Sequence, residues 1–140
     1  MDKQLNGRVT ALQIAFGVTA TLAGLDKFFN LLANWSAYVS PAAAQLLPVS
    51  AATFMHVVGV VELVVGIALL GVAPVIGAYA ASAWLLLVAV NLILGGHLDV
   101  AVRDVVMSIA VLTLARLLEI RHQAPVQSAL AAGSRRSVTA

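Results

Sequence analysis

The sequence has no cysteine and few charged residues, and both absences exclude large classes of protein. Without cysteine the chain forms no disulfide, thiolate nucleophile, iron–sulfur cluster or cysteine-ligated zinc site, and disulfide-generating membrane enzymes are excluded as well. Only 10% of the residues are charged, whereas an ordinary soluble domain carries about 25%. The chain is 61% hydrophobic and its mean hydropathy is +1.00. These values predict an integral membrane protein with a single domain.

The net charge is only +2, and the basic residues lie mostly near the two ends of the chain. This distribution indicates how a membrane protein is oriented and does not indicate nucleic-acid binding. The sequence also lacks a phosphate-binding loop, a nucleophile triad and histidines spaced to ligate haem. We therefore expect the lipid bilayer as a partner, together with another membrane protein or further copies of this chain, and no nucleic acid.

Four apolar stretches are long enough to cross a bilayer, which takes about 20 helical residues. They cover about residues 9–29, 51–70, 74–94 and 100–120. We expect an all-α, antiparallel bundle of four transmembrane helices, forming one domain over residues 1–120. The first stretch is predicted to be a retained span, not a cleaved signal peptide. Residues 121–140 are polar and basic and are predicted to form a disordered tail.

Two regions of this pattern depart from plain membrane spans. The connection over residues 30–50 contains Trp35 and Tyr38 among apolar residues, which predicts a short segment at the membrane interface. The last stretch has eleven uncharged residues, 105–115, which cover about 16 Å of a roughly 30 Å core. Some of Arg103, Asp104 and Arg116 are therefore expected within the membrane's edge.

The positions of lysine and arginine predict the topology. Lys3 and Arg8 precede the first span, and Arg116, Arg121, Arg135 and Arg136 lie at or beyond the end of the last. Only Lys27 and Arg103 lie on the opposite side. Because positive residues favour the cytoplasm, both termini are expected in the cytoplasm of a bacterial-type inner membrane. The connection over residues 30–50 then faces outward.

The second span carries ionisable residues on one face. At about 100° per residue, His56, Gly59, Glu62 and Gly66 fall within about 120° of one another. An ionisable side chain in hydrocarbon costs about 2.5–3.5 kcal/mol, and glycine lets a neighbouring helix approach closely. This face is therefore predicted to point toward the other spans.

The predicted topology brings polar residues from all four spans to the extracytoplasmic end, while the inner half is expected to be apolar. Asp26, His97 and Asp99 lie near this end as well. The residues we select as a candidate quinone or partner site are Lys27, His56, Glu62, Asn91, Arg103 and Asp104. Within this set, Glu62 and His56 are the candidates for handling protons.

Three short motifs in this framework resemble the DoxX-like family. They are Gly24-Leu25-Asp26-Lys27-Phe28, Gly59-Val60-Val61-Glu62-Leu63-Val64-Val65-Gly66 and Arg103-Asp104-Val105, and the resemblance covers about Ala15–Leu118. It implies a small four-helix membrane protein whose polar signature here is Lys27, Glu62 and Arg103. The family includes the small subunit of a thiosulfate:quinone oxidoreductase and proteins implicated in membrane-protein assembly. A basic residue followed by asparagine is expected at the start of the fourth helix, and Arg103-Asp104 departs from that pattern.

Three functions remain open at the level of sequence. The first is a redox-associated subunit that holds a quinone or partner at the polar end, with the sequence leaving open whether the chain is catalytic. The second is a non-catalytic accessory or assembly protein, in which Glu62 forms a structural ion pair with Lys27 or Arg103. The third is a small transporter, which would have to oligomerise.

The histidines and aromatic residues add weaker candidates. His56 and His97 lack Glu-x-x-His or His-x-x-x-His spacing, so we assign no metal site. We interpret aromatic side chains near the ends of the spans as interface anchors or packing residues, in preference to quinone contacts.

Overall fold

A computed structural model describes residues 2–138 of the chain, with side chains described through Val126. The described residues form helices and connections, without a strand. The helices are α1 (Lys3–Asp26), α2 (Pro41–Leu46), α3 (Ala51–Ile67), α4 (Pro74–Leu94) and α5 (Leu98–Val138). A 3-10 turn, Trp35–Tyr38, precedes α2, and a π-helical turn, Ala68–Val72, extends α3.

Local sequence explains where the helices begin and where α4 ends. Asp2 and Ser50 accept hydrogen bonds from backbone N–H groups in the first turns of α1 and α3, as N-cap residues do. Pro74 is the first residue of α4, where the missing N–H of proline costs nothing. At the end of α4, Gly96 adopts φ +80°, and the His97 N–H donates to the Leu92 carbonyl (2.9 Å). This C-terminal motif needs a left-handed residue and turns the chain into α5.

Helices α1 and α3 pack through small residues. A methyl group on either Gly24 or Gly59 would lie 2.7 Å from the carbonyl oxygen of the other. Farther along, Gly66 lies directly against Thr21. Residue numbers rise along one helix as they fall along the other, so the two helices run in opposite directions. Glycine is required at this contact because the two backbones touch.

Helices α4 and α5 form a second closely packed pair. The Ser82 hydroxyl donates to the Ser108 carbonyl (3.0 Å), and the Ser108 hydroxyl donates to the Ser82 carbonyl (2.9 Å). Buried apolar residues from α1, the π-helical turn, α4 and α5 form the core next to this pair. They are Val9, Leu69, Ala78, Ala81, Val111, Leu114, Ala115 and Leu118.

Two ends of the molecule can be distinguished by what they contain. We call the end that carries residues 27–50 and 95–97 the loop end, and the other the terminal end. The apolar core lies toward the terminal end, as the sequence predicted, but one polar side chain enters it. Gln13 is buried in α1 and donates to the carbonyl oxygen of Leu69 (2.9 Å) within the π-helical turn.

The outer surface is apolar. Large side chains such as Val64, Leu87 and Val106 are each at least 60% exposed, an arrangement that water disfavours and lipid accepts. Three helices are long and apolar enough to cross a membrane, namely Lys3–Asp26, Ala51–Val72 and Pro74–Leu94. The chain is therefore a helical membrane protein. In α5 the charges that flank residues 105–115 interrupt the apolar sequence.

The predicted boundaries need three corrections. The first helix ends at Asp26 instead of residue 29, because the Asp26 carboxylate binds the chain that follows it. The second continues to Val72 through the π-helical turn. The structure also continues α5 to Val138, where the sequence predicted a disordered tail from residue 121. This continuation includes Pro125 inside the helix. Within residues 30–50 the chain forms the 3-10 turn and α2.

Candidate functional site

The polar residues at the loop end are centred on one ion pair. Lys27 lies at the end of α1, and Glu62 lies in α3 beyond the Gly24–Gly59 contact. Lys27 Nζ is 2.5 Å from Glu62 Oε2, and the side chains are 5% and 14% exposed. Because the glycines bring the two backbones together, the ammonium and the carboxylate meet inside the protein. Of the two partners that the sequence left open for Glu62, Lys27 and Arg103, the structure places Lys27 against it.

Two tryptophans enclose the ion pair. Lys27 Nζ lies 3.8 Å from the centroid of the Trp35 ring, a position at which the electron-rich face of indole attracts a cation. On the other side, Trp84 Nε1 lies 3.5 Å from Glu62 Oε1, which is a long hydrogen bond. We call Lys27, Glu62, Trp35 and Trp84 the ion-pair cluster.

Asp26 places Trp35 over the lysine. The Asp26 carboxylate is buried and accepts hydrogen bonds from the backbone N–H groups of Leu31 (2.9 Å) and Leu32 (3.0 Å). It also accepts from Trp35 Nε1 (2.7 Å). The chain reverses at Asn30, whose φ is +52°. One carboxylate therefore determines the conformation of the connection that covers Lys27.

Asn91 holds the same connection at a second point. Its Nδ2 donates to the Tyr38 carbonyl (2.7 Å), and its Oδ1 accepts from the Ser40 N–H (3.1 Å). Ser40 is only 1% exposed. Sequence reasoning placed Asn91 among ligand-binding residues, but the structure shows both ends of its amide bound to backbone.

Asp104 is buried close to the ion-pair cluster without an equally close partner. It is 8% exposed, and the charges of both Glu62 and Lys27 act on it. Its ion pair is with Arg103, whose Nε lies 3.9 Å from Oδ1 and whose side chain is 67% exposed. Arg103 therefore points outward, while Asp104 faces the interior.

The two candidate histidines lie outside the cluster. His56 is exposed and stacks on Phe28, with ring centroids 5.0 Å apart and planes at 5°. His97 packs against Tyr38, with centroids 5.0 Å apart. Among the residues whose positions are described, no group of three histidine or carboxylate side chains is arranged to hold a metal ion. His56 and Glu62 therefore make no contact through which a proton passes from one to the other.

Sequence reasoning missed the contacts of Gln13, Asp26 and Trp35. Gln13 also accepts a hydrogen bond from Arg121 (2.8 Å), so α5, α1 and the π-helical turn are joined at the terminal end. Gln13 was recognisable in the sequence as a polar residue within an apolar span, which is a signal that its side chain has a polar partner inside the bundle. The role of Asp26 depends on a chain reversal that no periodicity reveals.

Comparison with known proteins identifies no relative: no family model, curated protein or solved structure matches the chain. The chemistry at the loop end is therefore interpreted from its geometry. That geometry is an enclosed ion pair with two further buried carboxylates nearby, Asp26, which is bound to N–H donors, and Asp104.

Proposed function

We propose that the protein is a DoxX-like membrane protein whose helices α1, α3, α4 and α5 cross a bacterial-type inner membrane as an antiparallel four-helix bundle. The positive-inside distribution supports cytoplasmic termini and an extracytoplasmic loop end. α5 packs closely along α4, which is long and apolar enough to cross the membrane. This packing supports a fourth crossing, because two helices that pack along their length lie in the same surroundings.

In this bundle the protein acts as a non-catalytic accessory or assembly subunit, and Lys27 and Glu62 form a structural ion pair. The observation that carries this function is the enclosure of that pair: the lysine lies against Glu62 and Trp35, and the remaining carboxylate oxygen faces Trp84. The apolar outer surface remains for lipid and for a membrane-protein partner or a second copy.

The proposed role is tested by a double-mutant cycle on the ion pair. Lys27→Met and Glu62→Gln are each expected to lower the free energy of unfolding by about 3–5 kcal/mol, because each leaves a buried charge uncompensated. The double variant is expected to lose far less than the sum, since no uncompensated charge remains. Unfolding in detergent micelles, followed by circular dichroism, measures all four proteins.

A matched control is the exposed pair of Arg116 and Glu119, 3.4 Å apart, whose side chains are 69% and 32% exposed. Removing either charge there is expected to cost about 0–1 kcal/mol. If the two changes at residues 27 and 62 are additive within about 0.5 kcal/mol, the pair is not structural.

One observation favours a second candidate, a redox-associated subunit that binds quinone. Asp104 is a buried polar group near the ion-pair cluster, and Val105, the next residue in α5, lines an apolar groove formed by α4 and α5. The apolar lining of this groove suits an isoprenoid chain. The groove is lined by Ile93, Leu98, Ala101, Val102, Val105 and Val106.

Quinone content separates the two candidates. If the protein binds quinone at Asp104, gently extracted wild-type protein contains stoichiometric quinone, and Asp104→Asn loses it at unchanged thermal stability. Chromatography of organic extracts measures both. Equal quinone content in the two proteins, or none in either, contradicts the second candidate and leaves the accessory role.

A further inference from the structure

Three large apolar side chains protrude from the loop end directly after α1. Phe29, Leu31 and Leu32 are 63%, 85% and 73% exposed, and we call them the apolar wedge. Leu31 and Leu32 lie in a connection, where no helix periodicity forces them outward. Their exposure therefore needs a separate explanation.

The wedge is held in place by hydrogen bonds, so its exposure is a fixed feature of the fold. The Asp26 carboxylate binds the N–H groups of both Leu31 and Leu32, and their side chains are exposed just after Asn30, whose φ is positive. Asp26 is itself buried, at 6% exposure. The buried carboxylate thus fixes the backbone of two leucines whose side chains face outward. We take this as an indication that their outward position serves the function of the protein.

The surroundings of the wedge identify lipid as its occupant. Leu22 and Leu25 are exposed on one face of α1, and Phe29 is exposed in the turn that follows the helix. The wedge therefore follows directly on the outward apolar surface of α1. The chain from Phe28 through Met55 contains no aspartate, glutamate, lysine or arginine. A water-facing connection of that length ordinarily carries charge, whereas apolar and aromatic residues favour the membrane interface.

We propose that the apolar wedge inserts into the extracytoplasmic leaflet and anchors the connection over residues 30–50 to the membrane surface. This inference rests on the proposed function, because it requires the loop end to lie at the membrane surface. Asp26 is the positioning residue: it joins the wedge to Trp35, which covers Lys27. Lipid contact at the wedge and the cover over the ion pair are thus parts of one connection.

The absence of native cysteine makes a direct test possible. Leu31→Cys carries an environment-sensitive fluorophore in liposomes containing lipids with a nitroxide at a shallow or a deep acyl position. An inserted wedge lies about 5–10 Å below the headgroups. The expected result is blue-shifted emission, stronger quenching by the shallow nitroxide than by the deep one, and little quenching by aqueous iodide. Adding Asp26→Ala is expected to weaken the shallow quenching.

Two control positions separate the wedge from the proposed function. Val64→Cys lies on the exposed face of α3 and is expected to be quenched by the deep nitroxide. Gln4→Cys is expected to be quenched by iodide, which is supplied on both sides of the bilayer because residues 4 and 31 are proposed to lie on opposite sides. If residue 64 is not quenched by lipid, the membrane assignment itself fails. If residue 64 is quenched as expected but residue 31 is quenched by iodide, the wedge faces water and the inference is overturned. Residue 31 shielded from both quenchers also overturns it, because protein then covers the wedge.

Discussion

At the scale of single residues, each buried carboxylate at the loop end has a different kind of partner. Glu62 is neutralised by an ammonium group. Asp26 is satisfied by three N–H donors without a cation. Asp104 has only the guanidinium of Arg103 at 3.9 Å. The three carboxylates therefore differ in what they do in the fold: Glu62 joins two helices, Asp26 shapes the connection, and Asp104 pairs only with an exposed arginine.

The amide of Asn91 provides a prediction at this scale. Asn91→Leu leaves the Tyr38 carbonyl and the Ser40 N–H without their partner and is expected to cost about 1–3 kcal/mol. Faster amide hydrogen exchange is expected at residues 38–40, because the connection loses one of its two attachment points. Hydrogen exchange with mass spectrometry measures this change.

Thr113→Val is the matched control, since the exposed Thr113 hydroxyl donates only to the Ile109 carbonyl of its own helix. It is expected to leave exchange at residues 38–40 unchanged. Unchanged exchange in Asn91→Leu as well would show that Asn91 does not hold the connection.

Sequence reasoning reduced the possible ion-pair partners of Glu62 to Lys27 and Arg103, because a glutamate in an apolar helix needs a partner. It did not choose between them, and it did not find the residues that enclose the pair. The position of Trp35 depends on the φ of Asn30 and on three hydrogen bonds to Asp26. Arg103 and Asp104 are adjacent in sequence. Which of the two faces inward depends on how α5 is rotated about its own axis, and the sequence does not show this rotation.

At the scale of helices, the glycines control how closely α1 and α3 pack. Gly24→Ala would place a methyl group 2.7 Å from the Gly59 carbonyl oxygen and 2.9 Å from the Leu63 nitrogen. The backbones must separate, which is expected to cost about 1–3 kcal/mol. The same separation moves Lys27 away from Glu62. Thermal unfolding in micelles measures the loss.

Gly7 in the same helix provides a control with the opposite sign. A methyl group there meets nothing within 4 Å, so Gly7→Ala is expected to stabilise α1 by up to about 1 kcal/mol through helix propensity. Equal effects at residues 7 and 24 would contradict the close helix contact.

Apolar length and turn chemistry predicted most helices, and their failures have physical causes. Pro74 and the two glycines before His97 indicated the boundaries of α4. The π-helical turn was not visible in the sequence, and neither was the hydrogen bond that the Leu69 carbonyl within it accepts from Gln13 of α1. The continuation of α5 beyond residue 120 has no counterpart in the sequence pattern, since the segment has no apolar periodicity and includes Pro125 within the helix.

At the scale of the whole molecule, polar chemistry and apolar packing lie at opposite ends. The loop end holds the ion-pair cluster and Asp104, and the core toward the terminal end is largely apolar. Sequence alone predicted this division from the positions of lysine and arginine. Length and hydropathy identify three crossing helices, so the proposed fourth crossing by α5 determines whether the two termini share one side.

The side of the membrane reached by residue 123 tests the proposed arrangement most directly. Single cysteines at Gln4, Gln45 and Gln123 are labelled with a membrane-impermeant maleimide in intact and permeabilised cells. Four crossings with an extracytoplasmic loop end predict that residue 45 is labelled in intact cells, and residues 4 and 123 only after permeabilisation. Labelling of residue 123 in intact cells, together with residue 45, would contradict the four-helix bundle.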